Sequence, residues 1–250
     1  MPYELLATAR TPALIIYLLD VSASMTQQLG TKRRIDVVMD ALQVALRQMV
    51  FRSTKGARVS PRYKVAMYAY SDHVYDLLDG VKTVDQIAKM GFPELSTQRT
   101  TDSARAFAQV EKLLQQELPG LDGCPAPLVC HMTDGEYTGD DPEPYARRIM
   151  AMEVPDGNVL VENIFISDVI IEQPINNVRE WPGILRRTNL KNEYAKKLRN
   201  MSSPLPRSYH AMMLESGYRM DDKAVMMLPG ISPSLVEMGF VMSAATPVSR

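Results

Sequence analysis

The chain has 250 residues, 46% of them hydrophobic and 23% charged, with a formal net charge of −1. That length supports a well-buried core, and the near-neutral balance excludes the broad basic footprint of a nucleic-acid or anionic-membrane binder. No apolar run approaches the roughly 20 residues that span a bilayer, and Met1-Pro2-Tyr3-Glu4 puts no basic segment ahead of a hydrophobic stretch, so a cytoplasmic protein without a secretory signal is expected.

Cys124 and Cys130 lack the Cys-x-x-Cys spacing of redox or zinc motifs and read as buried free thiols in a reducing compartment. In chain order, the first element is the apolar run Ile15-Ile16-Tyr17-Leu18-Leu19, which stops at Asp20 and is followed by Ser22 and Ser24. A short, branched, uninterrupted apolar run reads as a strand buried on both faces of a parallel sheet. After a polar loop, Ile35, Val38, Leu42, Leu46 and Met49 recur at helical spacing and predict a helix over 33–51.

A basic connection, Ser53 to Arg62, leads to the β-prone run Tyr63–Tyr70, which ends at Ser71-Asp72. A short strand is expected within 74–80, a short helix at about 83–90 and a loop from Gly91 to Thr101. The spacing of Ala106, Phe107, Val110, Leu113 and Leu114 predicts a helix from Asp102, ended by Pro119-Gly120. Pro127–Met132 is a further strand and again stops at an acidic end, Thr133-Asp134-Gly135. A helix over 143–152, a strand over 161–166 ending at Ser167-Asp168, and a helix over 189–201 follow. The remainder reads as a strand at Ser208–Leu214 and a C-terminal helix at Pro233–Ser243.

Strands alternating with helices of this length define an α/β class: a doubly wound, mostly parallel sheet with helices on both faces. Residues 1–250 read as a single domain, with its core over about 11–215 and a Met-rich C-terminal extension over 216–250 that packs on the domain.

Asp20-x-Ser22-x-Ser24, Thr100-Thr101 and Asp134 all fall at expected strand ends or helix starts. In open α/β sheets ligands bind outside the carboxyl ends of the strands. Two carboxylates and several hydroxyls are hard oxygen donors, suited to an octahedral Mg²⁺, or to Mn²⁺ or Ca²⁺, and less to zinc. Glu136, Asp140 and Asp141 read as a solvated acidic loop, and His73, His131 and His210 show no ligand spacing.

At these residues the sequence resembles the von Willebrand factor A domain family. Asp20-Val21-Ser22-Ala23-Ser24 matches its Asp-x-Ser-x-Ser motif, Met25 matches the form common in bacterial and intracellular members, and Met132-Thr133-Asp134-Gly135 matches the family's strand-four motif. Tyr68-Ala69-Tyr70-Ser71-Asp72 is similar to its third strand, so the resemblance covers about residues 11–170. It implies a Rossmann-like fold and a metal-ion-dependent adhesion site formed by Asp20, Ser22, Ser24, Thr100 and Asp134, some of them acting through water. At the threonine, Gln98-Arg99-Thr100-Thr101-Asp102 departs from the family's usual Gly-Gly-Thr; counting back from the helix favours Thr100, with Thr101 the alternative.

Enzymatic readings find no support. Ser22 stands where an Asp-x-Asp phosphotransferase needs its acid/base, and neither a Gly-x-Ser-x-Gly elbow nor a Gly-rich phosphate loop occurs. The expectation is a non-enzymatic binding module whose metal captures an Asp or Glu of a partner protein. The resemblance is to stand-alone, tellurite-resistance-associated members, which implies an adaptor in a signalling or stress-response complex with a protein kinase or phosphatase. The alternative is an adaptor to an AAA+ ATPase of the chelatase or MoxR-associated type.

Overall fold

The computed structural model describes residues 2–91, 95–97, 101–135, 137, 139–167, 170–244 and 246. Its centre is a seven-stranded sheet. The elements that build it are β1 (Ala13–Asp20), α1 (Arg34–Ser53), β2 (Tyr63–Tyr70), β3 (Val74–Asp76), β4 (Lys82–Thr83), α2 (Val84–Met90) and α3 (Ser103–Glu117). They continue with β5 (Leu128–Thr133), α4 (Glu143–Ala151), β6 (Leu160–Phe165), α5 (Glu193–Asn200), α6 (Arg207–Glu215), β7 (Met227–Pro229) and α7 (Pro233–Ser243).

The strand order is β7-β6-β5-β1-β2-β3, with β4 also pairing to β2. β1 pairs in parallel with β2 and β5, β5 with β6, and β6 with β7; only β3 and β4 run antiparallel. From β1 the chain therefore builds outward to one side and then returns to build outward on the other. The reversal lies between β1 and β5.

Every residue of β1 is buried, as its unbroken apolar run requires. Period-two alternation divides that run between two cores. Ile15, Tyr17 and Leu19 pack with α1, α2 and α7, whereas Leu14, Ile16 and Leu18 pack with α3, α4 and α5. Helices cover both faces, as the alternating sequence pattern predicts.

Two expectations are corrected. Ser208–Leu214 lies inside helix α6, not in a strand. Its two buried residues, Tyr209 and Met213, stand four apart, and Pro206 at the N-cap sets the chain into the first turn. The core also runs past 215. β7 completes the sheet against Asn163–Phe165, and α7 buries Leu235, Val236, Met238, Phe240 and Met242 against it. Gly239 allows that approach, because a Cβ there would overlap the Ile164 side chain.

Candidate metal centre

The sheet delivers two acidic strand ends side by side. β1 ends on Asp20, and Thr133-Asp134-Gly135 closes β5, on either side of the point where the strand order reverses. Such a switch point leaves a crevice, because the flanking connections depart to opposite faces.

Asp20 is fully buried. Its Oδ1 accepts from the backbone N–H of Ser22 at 2.9 Å, and its Oδ2 accepts from the Thr133 hydroxyl at 2.8 Å. Burial, and then the neighbouring Asp134 carboxylate, push its pKa up to about 6.

The chain after Asp20 tightens into a 3-10 turn over Ala23–Thr26. Met25 is wholly buried and pins the turn to the core, and its N–H donates to the Ser22 carbonyl. The turn aims Ser22 Oγ and Ser24 Oγ at each other, 3.0 Å apart.

On the other side of the crevice Asp134 is 8% exposed. Its Oδ2 lies 3.5 Å from Nη1 of Arg34, and its Oδ1 has no hydrogen-bond partner among the described residues. A buried carboxylate oxygen without a donor is costly, and a divalent cation is the species that would relieve it. The donor set of two carboxylates and two facing hydroxyls fits a hard divalent ion.

Of the five positions named from the sequence, Asp20, Ser22, Ser24 and Asp134 stand at this edge. Thr100 lies outside the described residues. Thr101, the alternative, is buried just before α3, whose N-cap Asp102 is tied to the residue that follows β2 through its N–H to the Ser71 carbonyl at 2.7 Å. Asp141 pairs with Lys197 of α5, and Glu136 and Asp168 lie outside the described residues. No cluster of three or more His, Cys, Asp or Glu side chains able to hold a metal occurs among the described residues.

Three participants escaped the sequence reading. Thr133 belongs to the recognised motif, but its bond to Asp20 depends on the β1–β5 register. Arg34 carries a faint signal: a third consecutive basic residue at a helix start, where the helix dipole disfavours positive charge. The last is a polar chain behind the site, for which the sequence holds no periodic cue. Tyr70 OH lies 2.7 Å from His131 Nε2, and His131 Nδ1 lies 2.7 Å from Asn163 Oδ1. Because Asn163 Oδ1 can only accept, His131 carries its proton on Nδ1 and accepts from Tyr70 at Nε2.

Burial lowers the His131 pKa from 6.5 to about 4. An imidazole kept neutral by the fold contributes its full stability above pH 6.5 and loses it as the pH falls toward 4, with a loss of about 3 kcal/mol. Urea unfolding of the wild type and His131→Gln across that range should show the stability gap between them narrowing by that amount on acidification. A gap independent of pH would contradict the neutral buried imidazole.

No family model matches the chain, and no curated protein matches it. Solved structures do. The pilus adhesin SpaC from Lactobacillus rhamnosus GG is 12% identical, with 93% of this chain and 30% of that one covered and a TM-score of 0.59. Proximal thread matrix protein 1 from the mussel byssus, solved with a zinc-occupied MIDAS motif, is 18% identical over 94% of this chain and 48% of that one, with a TM-score of 0.53. The PilB minor pilin from Streptococcus sanguinis is 10% identical over 92% and 60%, also at 0.53. What is shared at these identities is the fold: a mostly parallel central sheet flanked by helices, of the von Willebrand factor A, Rossmann-like type. No helix among the described residues is long and apolar enough to cross a membrane.

Proposed function

We propose that this chain is a von Willebrand factor A module that binds other proteins through a metal-ion-dependent adhesion site and performs no catalysis. The observation that carries the proposal is the pair of buried carboxylates at the switch point, one of them with an oxygen that meets no donor among the described residues. Asp20, Ser22, Ser24 and Asp134, with Thr100 or Thr101 as a fifth position, would hold Mg²⁺ or Mn²⁺. When bound, the ion supplies a coordination position that an Asp or Glu of a partner fills. The chain's own part is to present that position at a rigid sheet edge. Ser22 and Ser24 are neutral donors, so they leave the ion's charge less quenched than an all-carboxylate site would.

The mussel protein's zinc-occupied motif supports divalent binding on this fold and adds Zn²⁺ to the ions worth titrating. The finer reading is an adaptor in a bacterial signalling or stress-response complex with a kinase or phosphatase partner. Co-purification of a hexameric ATPase instead would favour the AAA+ alternative.

Calorimetric titration with Mg²⁺, Mn²⁺ and Zn²⁺ tests the site. Wild type should bind, whereas Asp20→Ala and Asp134→Ala should lose binding while remaining folded by circular dichroism. Pull-downs should then lose the partner in EDTA. Partner capture by either variant in EDTA at wild-type strength would overturn the mechanism.

A further inference from the structure

Three basic residues in succession, Lys32, Arg33 and Arg34, lead into α1. Lys32 and Arg33 are exposed and pair with Asp40 and Asp36 on the outside of the same helix. Arg34 alone turns inward. Its side chain is 9% exposed, its Nη1 lies 3.5 Å from Asp134 Oδ2, and its Nε has no hydrogen-bond partner among the described residues. It occupies the first position of α1, where the partial positive charge of the helix end opposes a cation. A buried guanidinium in an unfavourable field, with one long ion pair and an orphaned N–H, contributes little to stability through its packing. Its position is explained by the charge of the crevice beside it.

We propose that Arg34 is the charge-setting residue of the adhesion site, weakening its hold on the metal while strengthening its capture of an acidic ligand. This rests on the metal-site reading above. In the metal-free chain the guanidinium is the cation that faces Asp134 among the described residues and limits the repulsion between Asp134 and Asp20. Once a divalent ion is bound, Asp20 and Asp134 cancel its charge, and Arg34 leaves the loaded crevice with one net positive charge. A crevice without Arg34 would be neutral when loaded and would have little long-range attraction for a carboxylate. The two effects of the guanidinium therefore have opposite signs, repulsion toward the metal and attraction toward the anion, and a purely structural arginine would produce neither pattern.

The test compares the full chain as wild type, Arg34→Gln and Arg34→Lys. Mn²⁺ affinity is read by calorimetry, and acetate is the probe anion, followed by the fall in water-proton relaxation as it displaces water from the Mn²⁺-loaded site. Arg34→Gln should bind Mn²⁺ about tenfold more tightly or better, given the Coulomb energy of charges a few ångströms apart in a partly buried site, and should bind acetate several-fold more weakly. Arg34→Lys keeps the charge and should stay near wild type in both. Thermal melts in EDTA should show Arg34→Gln folded but less stable than wild type.

Unchanged or weaker Mn²⁺ binding by a folded Arg34→Gln, with wild type binding normally, overturns the charge-setting role and leaves the metal site standing. Absence of Mn²⁺ binding in wild type together with binding in Arg34→Gln supports the role in its strongest form. Absence of binding in all three chains overturns the metal site and this inference with it.

Discussion

Asn163→Ala should cost about 3–5 kcal/mol of stability, from two buried groups left unpaired plus the void itself. Asn163 sits fully buried in the middle of β6, with every polar atom engaged. Its Oδ1 accepts from His131, and its Nδ2 donates to the Met201 carbonyl at 3.0 Å and to Ser202 Oγ at 2.9 Å. One side chain thus joins β5 to the C-terminal end of α5 across the interior. Truncation strands the His131 Nδ1–H and the Met201 carbonyl where water does not reach. Asn163→Asp would keep the acceptor for His131 but lose the donor to Met201 and bury an ionisable carboxyl, so it should not restore wild-type stability. The measurement is the urea midpoint at constant slope. A loss below 1 kcal/mol for the alanine variant would mean that the polar chain relaxes onto other partners.

The second large effect is expected at Gly135, the last residue of the Thr-Asp-Gly motif. Its φ of +88° lies in the left-handed region, and a Cβ there would overlap the Phe165 ring on β6. Gly135 N–H also donates to Thr133 Oγ1 at 2.9 Å, and that hydroxyl donates to Asp20. Gly135→Ala therefore carries backbone strain of about 1–3 kcal/mol together with overpacking of similar size. The displacement falls on the segment that carries Asp134, so Mn²⁺ affinity should drop with stability. Gly30 provides the control. It also has a positive φ, +67°, but a Cβ there meets open space. Gly30→Ala should show strain alone, about 1 kcal/mol, with Mn²⁺ affinity unchanged. Equal losses at the two glycines would show that the Phe165 contact contributes nothing.

Part of this protein is legible one residue after another. The apolar run before Asp20, the Asp-x-Ser-x-Ser spacing and the second acidic strand end are local patterns. Burial on both faces removes polar residues from β1, and the end of burial admits them, so the strand's end and the start of the site coincide at Asp20. The α/β alternation follows from the same periodicities. Four of the five expected site positions consequently come together at one sheet edge.

Other features are invisible at that range. β7 is three residues long and pairs with Asn163–Phe165 more than 60 positions earlier, so no window around Met227 contains its partner. Glu162-Asn163 breaks the apolar run of β6 with two adjacent polar residues, yet both are fully buried. Burial pushes the Glu162 carboxyl well above its usual range, and only packing on both faces of the sheet explains that state.

By itself the sequence determined the strand ends, the hydroxyl and carboxylate donors they carry and the alternation that makes the sheet parallel, because each depends on residues within one element. Tertiary structure decided which strand ends became neighbours, that Arg34 turns inward while Lys32 and Arg33 do not, and that Asn163 completes a polar chain behind the crevice. Those outcomes depend on the register between strands and on the desolvation of groups far apart in the chain, and both come into being only when the sheet closes around β1.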